Sequence, residues 1–380
     1  MKRDTHKYIL FLILFQLSVG FTGLLYAEDG GDSFQDTIHY EKKMGLVKKG
    51  SLVPLPIVFY SPETSLAFGG VLFNLFRTVP EDTLSKFSNV RTAIIFTLRS
   101  QLLIDVDHDI FTRNEKFRIT GKFLFAKFPD FFYGIGNETL EEHEELFNAN
   151  NFNVKTQFMR QIFDNFYVGL MYNFFFLGNV EKEEGGILDS EDIPGKDGGK
   201  SSGLGLIVQW DTRDFNLNCT RGHFIELATR HYRDYLGSDF TYNIIEMEAR
   251  KFFPLFPRHV LGLHFLGRFS NRDVPFHQLS LLGGDKLMRG YYRGRYRDKV
   301  LLAAQAEYRW QFYKRFGVVV FGGLGDVSPQ FETFELSDVK PSYGLGLRYM
   351  ILPKRKVNLR LDFGFGKETS GIYINITEAF

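Results

Sequence analysis

Residues 357–366 read VNLRLDFGFG. Successive side chains of a strand point to opposite faces, so Val357, Leu359, Leu361, Phe363 and Phe365 share one face and Asn358, Arg360, Asp362, Gly364 and Gly366 the other. The same alternation recurs along the chain. From 116 to 126, Phe117, Ile119, Phe123 and Phe125 oppose Arg118, Thr120 and Lys122; from 203 to 211, Leu204, Leu206, Val208 and Trp210 oppose Gly203, Gly205, Gln209 and Asp211. Residues 90–99, 166–177, 261–270 and 371–380 repeat it, and no stretch sustains a comparable helical period. Segments of about ten residues with an apolar side chain at every second position are what a membrane-spanning barrel strand requires.

A soluble β-sandwich also alternates, but two features weigh against it. One face of these segments carries only large apolar and aromatic residues, while the other carries Arg, Asp and Glu that would meet one another across a lumen. The chain is also rich in rings, with 42 Phe and 18 Tyr beside 2 Trp, as the interfacial girdles of a membrane barrel require. The expected fold is therefore all-β, a transmembrane antiparallel β-barrel.

Counting along the chain gives sixteen strands, near 52–60, 65–76, 90–100, 102–112, 116–127, 151–163, 166–178, 201–211, 222–232, 239–251, 259–270, 299–311, 317–326, 342–351, 357–366 and 371–380. An even count lets both ends of a closed barrel lie on the periplasmic side. The connections 128–150, 179–200, 271–298 and 327–341 then fall outside the cell, and 77–89 becomes an unusually long periplasmic turn. The acidic, Gly-rich stretch 181–203 reads as a mobile surface loop.

Lys2, Arg3 and Lys7 precede an apolar run from Tyr8 to Leu17 that ends near LLYAED at 24–29, the pattern of a secretory signal cleaved after Ala27. The expected organisation is a signal peptide over 1–27, a short polar tail or plug segment over 28–51, and a barrel over 52–380. Such a chain belongs in the outer membrane of a bacterium, with membrane lipid and lipopolysaccharide as its surroundings. The 46 Lys and Arg against 45 Asp and Glu leave a net charge of +1, too weak a field for nucleic acid. The single cysteine, Cys219, excludes a disulfide framework and a four-thiolate metal site.

Nothing in the chain demands catalysis. GKDGGKS at 195–201 has Pro194 where a phosphate loop needs its first Gly. His223, His231, His259 and His264 lack metal-ligand spacing and read as wall or girdle residues. Asp105, Asp107 and Asp109 share a lumen face, where Arg91 and Arg99 would meet them. No enzyme activity, cofactor or metal is expected.

The strongest local signal is LLGGDKLMRGYYRGRYRDK at 281–299, where Arg289, Arg293, Arg295 and Arg297 place four guanidinium groups within nine residues. One reading is a basic surface loop touching lipopolysaccharide. The sharper reading folds the loop into the lumen, against Glu246, Glu248, Glu307 and Asp362, which alternation directs inward. An Arg fork can bind two carboxylate oxygens at once.

At these residues the chain resembles the BamA/TamA family, the bacterial surface-antigen superfamily of outer-membrane assembly factors. In that family the sixth extracellular loop carries an Arg-Gly-Tyr or Arg-Gly-Phe tip that enters the barrel, and Arg289, Gly290 and Tyr291 match it here. The strand count puts this loop between the eleventh and twelfth strands, as in the family. WDTRDFNLNCTRG at 210–222 is similar to the family's Asp-Thr-Arg-Asp turn, in which Asp211, Arg213 and Asp214 read as structural. FPDFFYGIGNET at 128–139 looks like a segment of its short, barrel-only relatives.

The departures are specific. The family follows the loop with a strand motif whose Asp pairs with the loop Arg, but FGGLGD at 321–326 has Gly323 at that position. Glu307, Asp326 and Asp362 are the candidate replacements. Ile372, Ile374, Ile376 and Phe380 resemble the C-terminal signal by which the barrel assembly machinery recognises a barrel for insertion, although Glu378 breaks the series and no Gly follows Gly371 to kink the strand. Periplasmic domains of the family's repeat type do not fit before Leu52.

The resemblance implies assistance to protein or lipid insertion, or transport, at the outer membrane, for clients the sequence does not name. Pro54 and Pro56 would leave the first strand poorly hydrogen-bonded and the barrel closure weak. A passive pore or structural surface antigen is the alternative, and an outer-membrane hydrolase a more distant one.

Overall fold

The computed structural model describes residues 51–380 apart from 83–84, 216–217 and 354–355; the expected signal peptide and all of the 28–51 tail but Ser51 lie outside them. The strands are β1 (Ser51–Ser61), β2 (Ser65–Phe76), β3 (Ser88–Thr97), β4 (Leu102–Phe111), β5 (Phe117–Phe132), β6 (Glu145–Phe163), β7 (Phe166–Glu181), β8 (Gly199–Asp211), β9 (Gly222–Tyr232), β10 (Tyr242–Phe256) and β11 (His259–Arg272). A small hairpin of β12 (Ser280–Leu282) and β13 (Tyr296–Asp298) follows, then β14 (Val300–Tyr313), β15 (Phe316–Ser328), β16 (Lys340–Leu352), β17 (Val357–Gly366) and β18 (Thr369–Ile376). All but the hairpin close into one antiparallel barrel of sixteen strands, each of which overlaps one of the segments read from the sequence.

Alternation fixes which side chains meet lipid. Phe158, Leu170, Leu206, Ile225, Leu263 and Val320 are exposed on the outer wall, while Arg118, Gln157, Gln209, Arg230, Glu307 and Arg309 are buried inside. The connections 164–165, 257–258 and 314–315 mark the periplasmic end. Trp310, Phe312, Tyr313 and Phe316 cluster at that end with exposed rings, a girdle for the membrane interface.

The extracellular connections are shorter than alternation suggests, because β5 and β6 run on to Phe132 and back from Glu145, leaving 133–144 between them. The stretch 181–203 corrects its reading as a mobile loop. Leu188 and Ile193 are buried and pack with Phe276 against Phe132, Phe147 and Tyr242. Glu145 Oε1 accepts the Leu188 N–H at 2.8 Å, and Pro194 O accepts the Phe276 N–H at 2.9 Å. Leu188 and Ile193, with Ile187 partly buried beside them, suffice to fold this largely polar stretch over the extracellular mouth.

The last strand also differs from its reading. It ends at Ile376, and Thr377 adopts φ +82°, which turns residues 378–380 into the lumen. Glu378 Oε2 accepts from Arg348 Nε and its Oε1 from Asn358 Nδ2, both at 2.7 Å. Phe380 packs against Phe252, at 6.2 Å between ring centroids, and its carbonyl accepts from Arg309 Nη2 at 2.8 Å. Phe380 is therefore a lumen residue in the folded barrel, because Arg348 and Asn358 hold Glu378, the residue that breaks the apolar series.

Candidate functional site

The connection between β11 and β14 enters the barrel. Leu281↔Arg297 pairing in the β12–β13 hairpin forms its stalk, and residues 283–295 form its tip. Gly290 sits at φ +111°, and a Cβ there would lie 2.6 Å from the backbone of Phe365; a Cβ on Gly364 would lie 2.7 Å from the backbone of Arg289. Backbone therefore meets backbone, which only glycine permits. Gly364 belongs to the VNLRLDFGFG segment, where its inward position was legible but its use as the seat of the loop was not.

Seated there, Arg289 is fully buried, as are Glu307 on β14 and Asp362 on β17. Its Nη1 donates to Asp362 Oδ2 at 2.5 Å and its Nη2 to Glu307 Oε1. The Phe321 ring lies beneath it, 3.5 Å from Cζ to centroid, so a cation–π contact adds to the ion pairs. Tyr373 Oη accepts the Gly290 N–H at 3.0 Å, Ser342 Oγ donates to the Arg289 carbonyl at 2.6 Å, and Tyr291 Oη donates to Pro341 O at 2.8 Å. The tip thus bonds to β16 and β18 as well as β14 and β17.

The network extends in both directions. Glu307 also accepts from Arg309 at 2.9 Å and Asp362 from Arg348 at 2.5 Å, while Arg360 Nη2 donates to Asp285 Oδ2 at 3.0 Å. Four guanidinium groups, of Arg289, Arg309, Arg348 and Arg360, face four carboxylates, of Glu307, Asp362, Glu378 and Asp285. The cluster is balanced in charge, which burial on this scale requires.

Of the candidate partners, Glu307 and Asp362 meet Arg289 and Asp326 does not. Asp326 lies five residues from Phe321 along β15, about 17 Å at strand rise, and takes Lys340 Nζ at 2.7 Å. Glu246 and Glu248 point inward but are held by neighbours, Glu246 by Arg230 at 2.6 Å and Glu248 by His264 at 2.9 Å and by Arg250. The space at Gly323 is bounded by Met288 of the tip and by Gln305. Asp105 and Asp107 pair with Arg91, and Asp109 with Arg118 rather than Arg99.

Arg295 and Arg297 of the loop bind the segment 128–139, a partnership that two separate stretches of sequence do not announce, while the Arg293 N–H donates to Glu63 Oε1 at 2.9 Å. Arg295 donates to Thr139 Oγ1 and to Thr139 O, both at 2.7 Å, and Arg297 to Phe131 O at 3.0 Å. Tyr292 Oη donates to Asp130 Oδ1 at 2.8 Å, and Gly136 N–H to Arg297 O at 2.8 Å.

At the periplasmic end, Asp211 takes a two-pronged bond from Arg213 at 2.8 and 2.9 Å. Asp214 Oδ1 accepts the N–H groups of Thr220 at 2.9 Å and Phe215 at 3.0 Å. Burial raises the Asp214 carboxyl, but the bonds from Thr220, Cys219 and Arg221 together outweigh it and hold the group below its ordinary range. The Cys219 thiol is pushed up to about 12 by burial and by Asp214, so it stays protonated and inert. Cys219 packs with Phe252, Ala379 and Phe380, and its carbonyl accepts from Arg309 at 3.4 Å. Arg309 thereby links the loop network to both segments at the periplasmic mouth.

The closure of the barrel is uneven. β1 pairs with β2 from Ser51↔Leu75 to Ser61↔Ser65, but among the described residues it meets β18 only at Tyr60↔Ile374. β18 itself pairs with β17 from Leu359↔Ile376 to Gly366↔Thr369.

Known proteins share this architecture. BamA from Haemophilus ducreyi lacking POTRA domains 1–3 superposes with a TM-score of 0.56 at 13% identity, covering 95% of this chain and 81% of that one. CdiB from Acinetobacter baumannii gives 0.55 at 10% identity, covering 93% and 70%, and CdiB from Escherichia coli 0.56 at 9%, covering 93% and 72%. At such identities the likeness concerns the fold. No curated protein sequence matches the chain. Residues 114–380 match the Omp85 superfamily domain, a span that includes the loop, its carboxylate partners and the inturned C-terminal residues, and the chain belongs to that superfamily of outer-membrane barrels.

Proposed function

We propose that this barrel assists the insertion or transport of protein or lipid at the bacterial outer membrane, with the edge of β1 as its working surface. The observation that carries this reading is the single β1–β18 pair, Tyr60↔Ile374. Pro54 and Pro56 supply no N–H to a ladder, so β1 is a poor partner by composition as well. β18 is tied to the buried loop through Tyr373 and through Thr369, whose Oγ1 donates to Gly290 O at 3.0 Å. The network holds β14 to β18 as one wall, and the seam beside β1 is where the barrel yields. An edge strand released there offers unpaired N–H and C=O groups to an incoming strand.

The test is a crosslink. Tyr60→Cys with Ile374→Cys, in a Cys219→Ser background, closes the seam under oxidation and reopens it under reductant. Vesicles containing the barrel should speed the folding of a small outer-membrane barrel client or the exchange of labelled lipid, and oxidation should abolish that gain reversibly. A gain that survives the lock, or no gain at all, overturns the reading. The loop and the inturned residues occupying the lumen weigh against a passive pore; a large, steady conductance of the wild-type barrel in planar bilayers would favour it.

A further inference from the structure

The outer wall of β8 to β15 carries a hollow of 760 Å³, within the size range of small-molecule sites. Two neighbouring rows of paired residues build it. In the row nearer the outside, Ala249 pairs with Phe265, Phe265 with Ala304 and Ala304 with Leu324; in the row nearer the periplasm, Lys251 pairs with Leu263, Leu263 with Ala306 and Ala306 with Gly322. Ala249, Ala304, Ala306 and Gly322 are small residues that form the floor, and the larger neighbours stand as its walls. A depression in this surface faces hydrocarbon, so its filling is a flexible apolar chain.

The charge at its lower edge narrows the occupant. On the outward positions of β9, β10, β11, β14 and β15 between the membrane interfaces, Lys251 is the only Lys, Arg, Asp or Glu, and among the described residues no carboxylate reaches it. Its ammonium lies 5.5 Å from the centroid of Phe253, one outward position nearer the periplasmic turn 257–258. A lysine on the lipid face is costly at mid-membrane and nearly free at the interface, and its stem lets the head reach that level. His223 pairs directly with Lys251, so the two side chains are neighbours on one face. Its Nδ1 is bonded to Thr212 Oγ1 at 3.0 Å, while its Nε2 is buried without a partner.

We propose that this groove binds a glycerophospholipid of the periplasmic leaflet, with an acyl chain over the Ala and Gly floor and the phosphate at Lys251 and His223. The proposal is independent of the seam and stands if the seam is inert.

The test uses the barrel reconstituted in nanodiscs of phosphatidylethanolamine and phosphatidylglycerol, released into detergent and weighed by native mass spectrometry, with heat-modifiable gel migration as the check of folding. The wild type should retain phospholipid. Lys251→Gln should lower retention roughly fivefold, the effect of one interfacial lysine on a phosphate. Ala306→Phe with Gly322→Leu fills the floor while leaving the charge, and should lower retention at least as far. Equal retention by wild type and both variants overturns the site. Retention of a neutral diacylglycerol as strongly as phospholipid overturns the role of Lys251, and preference for lipopolysaccharide overturns the leaflet.

Discussion

Two walls of this barrel carry the same inward chemistry and use it differently. On β3 to β5, Arg91 faces Asp105 and Asp107, and Lys122 faces Asp105, with the Arg91 and Lys122 side chains 34% and 42% exposed. On β14 to β17, Arg289 faces Glu307 and Asp362 with no exposure at all. The difference is the loop, which covers the second wall, excludes water and supplies the cation itself. Exposed pairs are screened and contribute little, whereas a buried pair that loses one partner leaves a charge in a medium that cannot solvate it.

That contrast sets the order of the expected effects. Arg289→Ala should destabilise the barrel by about 3–5 kcal/mol, read from the denaturant midpoint of unfolding, and should make the loop cleavable by protease and the barrel leaky in planar bilayers. A variant with unchanged stability, loop protection and conductance would show that the network is not what holds the loop. Gly290→Ala places a Cβ against Phe365 at φ +111° and should cost about 1–3 kcal/mol, with loop cleavage rising while the strands remain paired.

A third effect separates the two mouths by pH. His277 packs beside Phe175 and Phe276, and burial lowers its pKa to about 3 from 6.5. The unfolded chain therefore binds this proton better than the folded one, so the stabilisation is complete above about pH 6.5 and declines as the pH falls toward 3. Cleavage of the 182–198 connection should be faster at about pH 5 than at about pH 7.5, and His277→Phe should remove the difference. Asp214, held low, keeps the periplasmic turn intact until the pH falls below about 4. The smallest effect belongs to the open wall: Arg91→Ala should change stability by less than about 1 kcal/mol, and a loss as large as that of Arg289→Ala would erase the contrast.

Much of this was legible in the order of residues. A period of two names the face of each side chain, so VNLRLDFGFG alone placed Arg360 and Asp362 inside and Leu359 and Leu361 outside. The resemblance carried by Arg289, Gly290 and Tyr291 directed the loop inward. Alternation could not choose among Glu307, Asp326 and Asp362, because it assigns a face but no height; height comes from the register of β14, β15 and β17 around the ring.

Two further features exceed any local pattern. Leu188 and Ile193 look like strays in an acidic loop until Phe276, from another connection, covers them. Glu378 looks like a defect in a strand until Arg348 and Asn358 draw it inward. The sequence by itself determined the barrel, its strand count and the two faces of its wall, since those follow from a periodicity that each segment carries alone. Only the tertiary structure decided which charges are dry, which loop caps which mouth and where the ring closes weakly, because those depend on contacts between segments far apart in the chain.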